Sequence, residues 1–295
     1  DLKFDVLQNP NGILFSPDAV CKSLISYLEN KQYTEQDFFH LNEVWNSWDH
    51  HSRFSNISRS EALTVINESQ QKAHNFLKAA DWLIITLGSS FIYELTLAAD
   101  RASAALGESV ANCHRAPANW FNKKMEEIDT IKEMLEACLK KLKEFNPKLK
   151  FIFTISPVRH TRDGVVENNQ SKARLIEAVH YIVTKFESAH YFPAYELVID
   201  VLRDYRFYDI DLVHPNYPAT EFVLEKFSET CINETSRELM KEIKQIVIAR
   251  KHKPFQPETK AHRQFLAVHF EKTKLLQHKY PFLDLKEELD YFSQS

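Results

Sequence analysis

The chain has 295 residues, 44% of them hydrophobic and 26% charged, with a formal net charge of −4. This is ordinary globular composition, long enough for one large or two modest domains, and its lack of a basic field argues against nucleic acid or an anionic membrane surface as the main partner. No apolar run approaches the roughly 18 residues of a membrane-crossing helix. Cys21, Cys113, Cys138 and Cys231 are scattered without a CxxC pair, as thiols in a reducing compartment are, so a cytoplasmic location is expected.

The chain opens at Asp1 without Met and enters "LKFDVL", whose alternation predicts a strand over Leu2 to Leu7; a trimmed upstream segment is expected. "QNPNG" then supplies turn residues, and Ser16 with Pro17 starts a helix to about Asn30. A Trp- and His-rich loop, "VWNSWDHHSRFS", precedes a helix from about Ser60 to Ala80. "WLIITL" follows as a buried strand ending at Gly88, and "FIYELTLAA" with "ESVANCH" predicts a hairpin around Gly107. Ile128, Ile131, Leu135, Leu139 and Leu142 mark one face of a helix, "KFIFTI" a strand, and Leu175 to Phe186 the buried side of another helix. "YELVIDVL" reads as a third apolar strand, ending just before the loop "DIDLVHPN".

Strands alternating with helices predict an α/β fold: a doubly wound α/β/α sandwich around a mostly parallel sheet. From about Ala219 the charge pattern becomes helical, so residues 1–218 are expected to form the α/β domain and 219–295 a C-terminal helical extension.

In an open parallel sheet the ligand sits beyond the carboxyl ends of the strands, which directs attention to four loops. They hold Asn9, Asn11 and Gly12; Gly88, Ser89 and Ser90; Ser156, Arg159 and His160; and Asp211 with His214. An Asp three residues before a His can fix the imidazole tautomer so that the other ring nitrogen takes a proton from a hydroxyl. The spacing alone also fits a structural ion pair. Glycine after a strand permits close approach, and its amide can face an oxyanion; a plain turn is the alternative. Ser89 or Ser90 could stand at an exposed elbow, yet G-x-S-x-G is missing, and a cap or an oxyanion donor are the other roles. His50, His51, His114 and His160 lack metal-ligand spacing, so neither metal nor cofactor is expected. "RDYRFYDID", with Arg206, suits an anionic or sugar-like ligand or a packed salt-bridged loop, and the Trp45 to Arg53 segment is a substrate wall or a lid.

Taken together, "NPNGILF", "HHSRFS", "ITLGSSFIYE", "VANCHRAP", "SPVRHTRDGVVENNQSKA" and "DYRFYDIDLVHPN" resemble the GSCFA family, related to the SGNH (GDSL-like) hydrolases. The resemblance spans most of the chain. It implies an SGNH/flavodoxin-like sandwich with Asp211 and His214 as catalytic residues. It also implies oxyanion or substrate-binding roles among Gly12, Gly88, Ser90, Asn11, Arg159, His160, His51, His114 and Arg206. Gly12 and Gly88 would supply oxyanion amides, and Ser90 stands where the superfamily usually carries Asn. The nucleophilic serine would follow a first, central strand ahead of Asp1, which predicts roughly 25 to 45 further N-terminal residues, the length of a strand and helix of a βαβ unit. The implied activity is a carboxylic-ester hydrolase or acyltransferase, with a small-molecule or carbohydrate ester as substrate. A carbohydrate- or metabolite-binding protein without turnover is the alternative.

Overall fold

The computed structural model describes residues 2–99 and 107–293. They fall into two compact units, Leu7–Val223 and the pairing of Asp1–Val6 with Leu224–Ser295.

The larger unit begins with α1 (Pro17–Glu29), started by Ser16, whose hydroxyl accepts from Ala19 N at 3.2 Å, and ended by Asn30 in the left-handed region. A hairpin follows, β1 (Phe39–Leu41) with β2 (Val44–Asn46), turning through Asn42 and Glu43 at positive φ as a mirror-image turn requires. α2 (Arg59–Ala79) is capped by Ser58 and leads into β3 (Trp82–Leu87). β4 (Phe91–Leu95), β5 (Ser109–Val110) and β6 (Phe121–Met125) form a separate antiparallel sheet in the order β5-β4-β6. The expected hairpin is present in the pairing of Tyr93 with Val110, although part of its connection lies outside the described residues. Then come α3 (Ile128–Phe145), β7 (Lys150–Ile155), α4 (Val165–Lys185) and β8 (Ala189–Tyr191). The unit continues with a short α5 (Ala194–Glu196) that passes into a π-helix over Leu197–Leu202.

β3, β7 and β8 form a parallel sheet in that order, with Leu87 beside Ile155. One face presents Ile85, Leu87, Phe151, Phe153 and Ile155 to the main core, where Leu135, Leu139 and Leu142 of α3 and Leu175, Val179 and Ile182 of α4 meet them. α3 packs between α1 and α4, and α2 packs against α1, so the four form one layer. The α/β class with a parallel sheet is therefore as the alternation predicts. On the opposite face α5 contacts β7, while Trp82 and Ile84 of β3 remain 46% and 52% exposed.

Two expected strands are absent. Residues 2–7 are irregular, and Lys3 at φ 58 breaks any extended run, because alternation specifies a strand only where a neighbour completes its ladder. "YELVIDVL" is helical, with Ala194 and Val198 buried four apart, and the sheet position belongs instead to β8 just upstream. A short apolar run does not distinguish a strand from a buried helical turn.

The smaller unit holds α7 (Glu234–Lys251), α8 (Lys260–Lys279) and α9 (Lys286–Phe292), packed around Ile243, Ile246, Leu266, Leu276 and Phe292. α6 (Tyr217–Cys231) runs from one unit into the other. Glu288 is fully buried and pairs with Lys3 at 2.9 Å and Arg250 at 3.3 Å. Among the described residues no helix is long and apolar enough to cross a membrane.

Candidate active site

The loop between the π-helix and α6 closes on itself. Tyr208 bridges Pro215, Asp209 N donates to His214 O at 2.8 Å, and the Asn216 amide donates to Arg206 O at 2.7 Å and Tyr208 O at 3.2 Å. At its tip Asp211 Oδ1 accepts from the backbone of Val213 at 2.9 Å and of His214 at 3.0 Å, a local turn that orients the carboxylate. Oδ2 then lies 2.6 Å from His214 Nδ1. A carboxylate there assigns the proton to Nδ1 and leaves Nε2 as the basic nitrogen. The His214 amide, then its ring and the Val213 amide, hold the Asp211 carboxyl down at about 2, so it is ionised at neutral pH. Both side chains are about half exposed, 59% for His214 and 46% for Asp211.

Arg159, from the loop after β7, reaches this tip. Its guanidinium stacks on Tyr208 at 4.4 Å and faces Tyr205 at 5.5 Å, and Nη1 donates to Leu212 O at 3.3 Å. Leu212 has φ 57, so that carbonyl belongs to a residue in the left-handed region. His160 places its ring edge-on to Phe15, and its amide donates to Asn168 Oδ1 at 2.9 Å. Burial, and next the charge of Lys172, push the His160 imidazole down from its ordinary range.

Gly88 lies beside His160: an added Cβ would come 3.2 Å from Phe15 and 3.5 Å from His160 Nε2. Its amide is committed, donating to Phe15 O at 2.8 Å. Ser90 is wholly buried: its N donates to Ser171 Oγ at 2.8 Å, and its hydroxyl is 3.0 Å from the same oxygen. Ser89 is also buried and turned toward Ser171. Neither hydroxyl is presented as a nucleophile.

Gly12 packs with His51, and Asn11 and His114 adjoin the same segment. Gly12 has φ 90, its amide donates to Asn9 O at 2.8 Å, and an added Cβ would fall 2.1 Å from His51 Cβ. His51 N donates to Asn11 O at 2.9 Å, and its Nδ1 accepts from Arg53 N. His114 is buried between Ser47 O and Ser52 Oγ, and burial lowers its pKa. The Asn11 amide is buried with neither of its atoms hydrogen-bonded. Arg206 points outward, pairing with Asp204 at 3.5 Å. Among the described residues, no group of three or more His, Cys, Asp or Glu side chains could hold a metal ion.

The start of α4 lies within "SPVRHTRDGVVENNQSKA", yet sequence reasoning assigned its residues no site role. Asn168, Ser171 and Lys172 are buried polar residues that bond to both strand-end loops. Their signal was present in "ENNQSKA": polar residues at i, i+3 and i+4 on the stripe that Leu175 and Val179 continue.

No curated protein and no solved structure matches the chain. The model of the GSCFA family matches residues 1–227 and that of the GSCFA domain protein, C-terminal domain, residues 243–295; the chain belongs to the GSCFA family.

Proposed function

We propose that the strand-end crevice hydrolyses a carboxylic ester, or transfers its acyl group, with His214 as general base and then acid and Asp211 as its orienting partner. The observation that carries this reading is the Asp211–His214 pair, at 2.6 Å, on a loop closed by its own hydrogen bonds. A carboxylate on Nδ1 stabilises the imidazolium that forms as Nε2 takes the proton of a hydroxyl nucleophile. The resemblance assigns that hydroxyl to a serine on a further strand. The outer edge of β3, without a strand partner among the described residues, is where such a strand would add in parallel. The amides of Gly12 and Gly88 presently serve Asn9 O and Phe15 O. To stabilise an oxyanion, at about 3 kcal/mol per donor, each must first exchange that acceptor.

The test is turnover of small acyl esters by the native protein and by His214→Ala and Asp211→Asn. The expected loss is on the order of 10²- to 10⁴-fold with unchanged thermal stability. Variants that turn over at the wild-type rate remove the assignment.

The two committed amides favour a second reading, a carbohydrate- or metabolite-binding protein without turnover that uses Tyr205 and Arg159 as a stacking surface. Saturable binding of an acylated sugar, unaffected by His214→Ala and without release of acid, would select it.

A further inference from the structure

β3 and β7 are parallel neighbours, and the residues that leave them, Gly88 and Ser156, begin loops that diverge, one to β4 and the other to the start of α4. Lys172, from the second turn of α4, spans that divergence. Its Nζ donates to Gly88 O at 2.6 Å and to Ser156 O at 2.7 Å. One helical turn earlier Asn168 takes the amide of His160, and Ser171 takes the amide of Ser90. A single polar face at the start of α4 thus grips both loops, while the next turns of that face bury Leu175 and Val179 in the core.

Lys172 is 1% exposed, and among the described residues no carboxylate lies within ion-pair distance of it. An ammonium buried without a counter-charge is costly, and a neutral donor could satisfy the same two carbonyls without that cost. Packing alone accounts for the side chain's length but not for its charge.

We infer that Lys172 is a positioning residue of the strand-end site: its ammonium ties the loops after β3 and β7 together and so holds Arg159 and His160 beside the Asp211–His214 loop. The inference rests on the reading of that crevice as the active site. The link to the tip runs through Arg159, which donates to Leu212 O, and the link to the crevice through His160, which adjoins Gly88. Burial pushes the Lys172 ammonium down to about 8, so the tie loses its charge under mild alkali. The titratable group that senses Lys172 is His160, whose ring also feels Asp163, Lys123 and His214.

The experiment is a pH titration of the ¹⁵N-labelled protein between about 6 and 10, spanning both groups, for wild type, Lys172→Met and Lys172→Arg. In wild type, the amides of Gly88, Ser89, Arg159 and His160 are expected to shift together with one midpoint at about 8. Lys172→Met removes the shared step and raises the His160 ring midpoint, since a neighbouring positive charge is gone; Lys172→Arg leaves that midpoint near wild type. Ester turnover falls through the same alkaline midpoint in kcat with KM held, a limb that Lys172→Met lacks. No shared step at these amides, or a Lys172→Met protein with the wild-type His160 midpoint, overturns the inference. If Lys172→Met does not fold, the wild-type titration decides alone. A wild type that shows the shared step but turns over no ester removes the hydrolase reading and leaves the tie standing.

Discussion

Two corners of the larger unit are built from the same residue types, a glycine after a turn or strand, histidines and a short polar loop. They differ in what each leaves free. Around Gly12, the Asn9–Gly12 turn commits the Gly12 amide, and His114 is buried with both ring nitrogens engaged, one by Ser47 O and the other by Ser52 Oγ. Around His214, a carboxylate fixes one ring nitrogen on a half-exposed loop, and the surrounding bonds hold the loop without consuming the other. The contrast that bears on the proposed reading is between His114, with both ring nitrogens occupied, and His214, with only Nδ1 occupied.

The largest expected effect breaks this comparison directly. His214→Ala should abolish most ester turnover, by about 10²- to 10⁴-fold, and leave thermal stability alone, whereas His114→Ala should do the reverse. Kinetics and melting curves on both variants check it, and equal effects would erase the distinction.

Gly12→Ala is next. With φ 90 and a Cβ landing 2.1 Å from His51 Cβ, it should cost about 3 kcal/mol in a denaturant titration, from overpacking plus left-handed strain. Gly88→Ala, whose nearest contact is 3.2 Å, should cost about 1 kcal/mol or less.

The two buried bases sharpen the comparison through pH. Burial pushes His50 from 6.5 down to about 4. The unfolded chain therefore binds the proton first, and stability should fall by about 3 kcal/mol as pH drops from 6.5 to 4, a loss that His50→Phe should blunt. Lys172 titrates in the same sense at the other end: burial lowers it from 10.5 to about 8. The folded chain releases its proton first, so wild type should gain about 3 kcal/mol on Lys172→Met between pH 8 and 10.5. Parallel stability curves for each pair would contradict these assignments.

The smallest effect belongs to Arg159→Ala. The loop tip keeps its own hydrogen bonds, so turnover should fall by about tenfold, near 1.4 kcal/mol, from looser placement of His214. An unchanged rate would make Arg159 a surface contact.

The sequence made most of the frame legible because α1, α2, α3, β3, β7 and α4 each combine a buried period with a start or stop residue. It misled where such signals were incomplete. Leu2 to Leu7 alternates but has no partner strand, and "YELVIDVL" is apolar enough for either a strand or a helix. β2 and β6 carry no apolar alternation, and that of β1 covers only Phe39 and Leu41, so these strands are specified by a turn at Asn42 and Glu43 and by pairing to β4. At the site, Asp211 and His214 were readable because their interaction is local, three residues apart. The commitment of the Gly88 amide to Phe15 O, and the reach of Lys172 to Gly88, depend on contacts between distant segments that no spacing records.

The ion pair between Lys3 and the buried Glu288 bears on how the protein comes off the ribosome. Residues 7–223 form one compact unit and can begin to condense while the C-terminal helices are still being translated. The smaller unit joins residues 2–6 to a helix near residue 288, so it cannot be completed until that helix has emerged. Until then Lys3 has no Glu288 to pair with, and a nascent chain stalled before α9 leaves that unit unfinished.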